Sequence, residues 1–210
     1  MIKRVYLLAA CSVVSMLAVS GQASAQVDET TFQLVPVGTI LSCLADPSST
    51  EPPVARVTVV RGKLNDHLTL HAEHIKPGLQ FDLFTVQNSP FLADGSKDPK
   101  FKNFGLAWYQ TDVEANQHGT ADVSIRTILL DQIFGFDPVV GLAPTNTFHV
   151  GFWFNNPQDA VACGFDPKKP TPFNGEHKAG PLAMVSLPAA GGPGPLCTSP
   201  DTSHQGACNH

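Results

Sequence analysis

The chain has 210 residues, 18 acidic against 13 basic side chains, a formal net charge of −5, and 17 glycines and 18 prolines. That length suits one domain able to bury a full core. The acidic balance argues against nucleic acid or anionic lipid as a partner, since both call for a basic face; sparse charge with plentiful Gly and Pro suits an all-β domain rich in turns.

Residues 1–25 read as a signal peptide. Lys3 and Arg4 supply a positive start, Val5 to Val19 is mostly apolar, and Ala23-Ser24-Ala25 is an A-x-A cleavage site. The apolar run falls short of the about 20 residues that a membrane helix needs. Leu8-Ala9-Ala10-Cys11 resembles a lipoprotein cleavage box, but the apolar stretch ahead of it is short, which favours ordinary removal. Cleavage before Gln26 carries off two cations and no acid, so the −5 of the whole chain becomes −7. The mature protein is expected to be secreted or periplasmic, without a membrane span.

Four cysteines remain after cleavage: Cys43, Cys163, Cys197 and Cys208. An even number in an exported chain reads as two disulfides. Three pairings are open. Cys43–Cys163 and Cys197–Cys208 are favoured, because the last two share a Pro/Gly-rich tail (188–210) and the first two flank the core. No C-x-x-C redox or zinc spacing occurs.

Thr31 to Leu44 opens the domain as an edge strand interrupted by Pro36. Ala55, Val57 and Val59 alternate with Arg56 and Thr58 as a second strand. Leu68, Leu70 and Ala72 share one face of a third, with His67, Thr69 and His71 on the other. Leu79 to Val86 is apolar on both faces and therefore central. A long connection, 87–104, leads to a strand at Gly105–Asp112 that carries Trp108 and Tyr109. Asn116-Gln117-His118-Gly119 is a hairpin turn, and Ala121, Val123 and Ile125 point inward from the strand after it. A second long connection, 129–144, could hold one helical turn at 131–136.

The densest signal is Thr147 to Phe165. Phe148, Val150, Phe152 and Phe154 alternate with His149, Gly151 and Trp153, so one aromatic face turns into a core. Pro157, after Asn155 and Asn156, ends the strand, and Cys163 is placed to tether its exit. Leu182 to Leu187 is a last strand, and the tail is expected to be held only by its own disulfide. About eight short strands between turns, with almost no helical periodicity, predict a single antiparallel β-sandwich over 26–187, immunoglobulin-like or dismutase-like, with a disulfide-closed C-terminal tail.

His67, His71 and His74 form H-x3-H-x2-H. On a helix they would share one face and could ligate zinc. On a strand His67 and His71 lie about 13 Å apart at roughly 3.3 Å per residue, too far for one metal, and His74 points the other way. The Leu68/Leu70/Ala72 alternation favours the strand, so these histidines are only weak metal candidates. Asp94-Gly95-Ser96-Lys97-Asp98 has oxygen donors at calcium-loop spacing but lacks the sixth-place Gly and twelfth-place acid. No G-x-S-x-G elbow, phosphate-cradling loop, paired carboxylates or free thiol stands out, and no cofactor is implied. Trp108, Tyr109 and Trp153, beside Asn155 and Asn156, could form a platform for a sugar or an apolar partner; the alternative is that the tryptophans cover the sheet or pack under the 87–104 connection.

Three stretches resemble the copper/zinc superoxide dismutase family: Ile75-Lys76-Pro77-Gly78-Leu79 its Pro-Gly turn, Val113 to Ile125 its hairpin, and Ala162-Cys163-Gly164 its disulfide-bearing end. Where that family carries a His-x-His pair of copper ligands, this chain reads Gln80-Phe81-Asp82-Leu83-Phe84, so no metal ligand carries over. The region from Leu68 to Phe165 also resembles exported bacterial β-sandwich proteins of unassigned role that share the Phe-Trp-Phe-Asn-Asn-Pro ending. Both resemblances imply a sandwich and neither implies an activity. The expected function is a non-catalytic binding or surface-interaction module, its ligand or protein partner unspecified, with the loops at 87–104 and 129–144 as contact surface. The alternative is a metal-dependent zinc or copper enzyme using some of His67, His71, His74, His118 and His149.

Overall fold

The structure is a computed structural model that describes residues 29–62, 65–127, 147–171, 179–190, 192 and 194–197. The leader at 1–25, Cys208, and the connection at 129–144 lie outside them. The strands are β1 (Glu29–Pro36), β2 (Val54–Val60), β3 (Asp66–Glu73), β4 (Gln80–Val86), β5 (Ala107–Glu114), β6 (Ala121–Thr127), β7 (Thr147–Phe154), β8 (Leu182–Ser186) and β9 (Leu196–Cys197). A short helix α1 (Leu41–Leu44) follows β1, and a 3-10 helix (Pro157–Cys163) follows β7.

All the pairings are antiparallel, and one continuous sheet runs β5-β4-β7-β8-β1-β2-β3-β6, with β9 added on β7. The two ends of that path, β5 and β6, are neighbours in the chain and lie side by side. Their turn is tied by Asn116 N to Thr120 O at 2.8 Å and by Gly119 N to Asn116 O at 3.0 Å. Gly119 has φ +70°, and a Cβ there would meet the Ile75 carbonyl, so the turn needs glycine. The sheet is thus nearly closed on itself, and the expected pair of separate sheets is replaced by one wall around a core. The order places β3 beside β6 and β4 beside β7, both non-sequential neighbours of Greek-key type.

The alternations read from sequence set the inside of the wall. Leu68, Leu70 and Ala72 of β3, Ala55, Val57 and Val59 of β2, and Phe148, Val150, Phe152 and Phe154 of β7 are all buried in one cluster. Phe81 stacks at a tilt on Phe152 and Phe154, with centroids at 4.8 and 5.2 Å. β4 is central, between β5 and β7. β1 is not the edge strand expected from Pro36. It pairs with β2 on one side and β8 on the other. Pro36 is its last residue, so a single N–H is missing, and the ladder resumes with Val37 N to Ala183 O at 3.0 Å.

The Cys43–Cys163 disulfide joins α1 to the 3-10 helix after β7, as the sequence predicts. Cys197 is also disulfide-bonded; Cys208, its expected partner, lies outside the described residues. The tail is not held by a disulfide alone. Leu196 and Cys197 are buried and pair with Phe148 and Thr147, on the stretch of β7 that β8 does not reach. Arg61 Nη1 donates to the Cys197 carbonyl at 2.7 Å. No helix among the described residues is long and apolar enough to cross a membrane.

Candidate functional site

The outer face of β4-β7-β8 is covered rather than bare. Phe84, Val86, Trp153, Leu182 and Val185 form a second buried cluster with Phe91 and Ala179, and Phe104 packs against it. Phe104 meets Trp153 edge-on at 5.1 Å, and Phe101 meets Phe104 at 4.9 Å. The 87–106 connection is therefore a lid of aromatic side chains laid on the sheet. It is pinned at its base by Gln87, whose Oε1 accepts from Leu106 N at 2.8 Å. A Cβ at Gly105, with φ +72°, would collide with that same oxygen, which explains the glycine.

Between this connection, the first residues of β7, and Pro188 and Gly192 lies an open cleft of ≈340 Å³. Its walls include Phe91, Leu92, Phe101 and Pro188; Lys100, Lys102 and Asp98 also line it; and His149 belongs to its lining from β7. His149 is only 2% exposed. Its Nδ1 lies 3.2 Å from the Ser186 carbonyl and 3.1 Å from Ser186 Oγ. The Ser186 carbonyl can only accept while Ser186 Oγ can accept or donate, so it is the carbonyl contact that favours the proton on Nδ1 and the lone pair on Nε2. Ser186 O also accepts from Ser89 Oγ at 3.3 Å, and Ser186 Oγ accepts from Val150 N at 3.2 Å. Burial pushes the His149 pKa down to about 4, against a smaller opposing effect of the Ser186 carbonyl. The imidazole is neutral at pH 7 and is held in one orientation by Ser186.

A general base works best with a pKa near the operating pH, and a group near 4 is a weak base. Ser186 is fully buried and its Oγ is already engaged, so it presents no nucleophile to the cleft.

The five histidines of the metal alternative are scattered. His67 and His71 are on β3, as the alternation requires, with His67 Nε2 2.9 Å from Ser124 Oγ and His71 Nδ1 2.7 Å from Asp122 Oδ1. His74 follows β3 with φ 61°, its Nδ1 3.0 Å from Ser49 Oγ. His118 is exposed in the β5–β6 turn. Among the described residues no three His, Cys, Asp or Glu side chains are grouped to hold a metal ion. Asp94 and Asp98 close local turns instead of a calcium loop, accepting from Ser96 N at 2.9 Å and Lys100 N at 2.8 Å.

The suggested aromatic platform is divided. Trp153 is wholly buried under the 87–106 connection, the alternative that the sequence left open, and Trp108 is half-buried against the inner core. Tyr109 alone faces out, 53% exposed, with its ring edge on Phe84 and its hydroxyl donating to Asp112 Oδ1 at 2.8 Å. Asn155 donates to the buried Asp82 at 2.8 Å, and Asn156 caps the 3-10 helix by accepting from Gln158 N. Both asparagines thus have structural partners. Ser89 and Ser186 carried no signal in the sequence; His149 did, but only as one of five scattered histidines.

No protein-family model and no curated protein matches the chain.

Proposed function

We propose that this is an exported, non-catalytic binding module, its nearly closed sheet a variant of the immunoglobulin-like or dismutase-like β-sandwich, with the cleft beside the 87–106 connection as its contact surface. The observation that supports it most is the combination of a cleft with a buried imidazole among its lining residues, its orientation fixed by Ser186. Export is supported by the Cys43–Cys163 disulfide together with the leader-like first 25 residues. The resemblance to the dismutase family rests on three short stretches of sequence and stops at its copper ligands, for which Phe81 and Asp82 supply no imidazole.

The test is a fragment screen by protein-observed NMR on the mature chain. Binders are expected to shift the Phe101 and His149 resonances. Binders that map instead to the outer face of β2, β3 and β6, or a screen without any hits, would refute the cleft as the contact surface.

A further inference from the structure

Resting on that reading, we infer that the cleft accepts a small organic acid: a hydrogen-bond donor at its buried end, an apolar body, and a carboxylate at its outer end. Three features carry this. The first is His149. With Nδ1–H committed to the Ser186 carbonyl, Nε2 is an acceptor, and no protein donor among the described residues reaches it. Nε2 is not among the fully buried atoms left without a partner and opens on the cleft, so the site favours an occupant that brings an O–H or N–H to it. A carboxylate at this position would set lone pair against lone pair.

The second is the wall. Phe91, Leu92, Phe101 and Pro188 offer apolar surface for a ring or short alkyl body. The third is charge. Lys100 and Lys102 are exposed, and Asp98, the one acid among the described residues that line the cleft, has Oδ1 occupied by the backbone N–H of Lys100. A pair of cations on a chain that is acidic elsewhere fits an anionic group at the solvent end. The volume of ≈340 Å³ suits a molecule of about one ring.

Isothermal titration calorimetry on the mature protein at pH 7 with three probes separates these parts. 4-Hydroxyphenylacetate carries donor, ring and carboxylate; phenylacetate lacks the donor; 4-methylphenol lacks the carboxylate. The first is expected to bind about tenfold tighter than the second, the scale of one buried hydrogen bond. Lys100→Gln with Lys102→Gln is expected to weaken the first two and to leave 4-methylphenol unchanged. His149→Leu is expected to erase the difference between the first two probes. Because that variant loses its Ser186 contact, the same point is read in the native protein by the ¹⁵N shift of His149 Nε2, expected to move with 4-hydroxyphenylacetate and not with phenylacetate. Equal affinity of the two acids, or an Nε2 shift unmoved by any probe, overturns the inference. If the probes fail while other fragments still map to the cleft, the ligand class is wrong and the binding reading stands; if nothing maps there, both fall.

Discussion

The two halves of the wall treat their outer faces differently. In β2, β3 and β6 the inner residues are apolar, and the outer face presents Arg56, Thr58, Thr69, His71, Asp122 and Ser124 to solvent. In β4, β7 and β8 both faces are buried: Phe81, Phe152 and Phe154 inward, Phe84, Trp153 and Val185 outward beneath the 87–106 connection. The first half behaves as an amphipathic antiparallel sheet. The second is a three-layer stack of core, sheet and loop, and its cleft has the buried His149 among its lining residues, whereas the hollow of ≈310 Å³ on the first is lined by Arg56, Thr58, Thr69, His71, Asp122 and Ser124.

The sharpest test of this contrast is truncation on each outer face. Trp153→Ala is expected to cost about 3–5 kcal/mol, because it empties the space between Phe84 and Phe104. Thr69→Ala, on the outer face of β3, is expected to stay within about 0.5 kcal/mol. Urea unfolding measures both; similar values would mean that the connection does not seal the sheet. Cys43→Ala with Cys163→Ala comes next. The bridge spans 120 residues and ties α1, which leaves β1, to the exit of β7. Its loss is expected to lower stability by about 2–5 kcal/mol, and a midpoint in urea unmoved by reduction would contradict that.

The same contrast decides what could be read from the sequence. Strict alternation in Leu68-Thr69-Leu70-His71-Ala72 placed β3, its inner face and its outward histidines, because one face is wet and the other dry. Phe148 to Phe154 placed β7 and its aromatic inner face. Alternation by itself says nothing of a cover, and Phe101 and Phe104 sit in a connection without periodicity; Trp153 packing under that connection is one of the two readings its position allows, whereas the setting of His149 beside it has no signal. β9 has two residues, too few for any pattern. The short turn that brings β5 and β6 together at the ends of the wall is legible as Asn116-Gln117-His118-Gly119, but the path between them runs through the non-sequential pairs β3–β6 and β4–β7, which local patterns do not encode.

Acid titration should separate the halves through their histidines. His149 has a folded pKa of about 4 against about 6.5 unfolded, so the unfolded chain binds the extra proton between those values. Its contribution is complete above pH 6.5 and is lost as the pH falls toward 4, by up to about 3 kcal/mol. Carboxylates titrate in the lower part of this window too. The quantity to measure is therefore the difference in unfolding free energy between wild type and His149→Gln, which should shrink on acidification. A difference independent of pH would mean that the imidazole is not held neutral by burial.

His71 should show the opposite sign and a smaller size. Its pKa is raised, first by the hydrogen bond to Asp122 and then by Glu73, with Nε2 3.4 Å from Glu73 Oε1. Arg56 stands across the ladder on β2 and opposes the charge. A raised folded pKa gives stability that is present in full below about 6.5 and disappears as the pH climbs through the folded value. Both side chains are more than half exposed, 52% for His71 and 73% for Asp122. Water screens such a pair to a few tenths of a kcal/mol, so the shift is better read directly by NMR titration of the ring. Asp122→Asn should bring the His71 pKa down while leaving His149 untouched, since the two lie on different halves of the wall. If the substitution also moved His149, the two outer faces would be coupled through the core, and treating one as bare surface and the other as a built cleft would no longer hold.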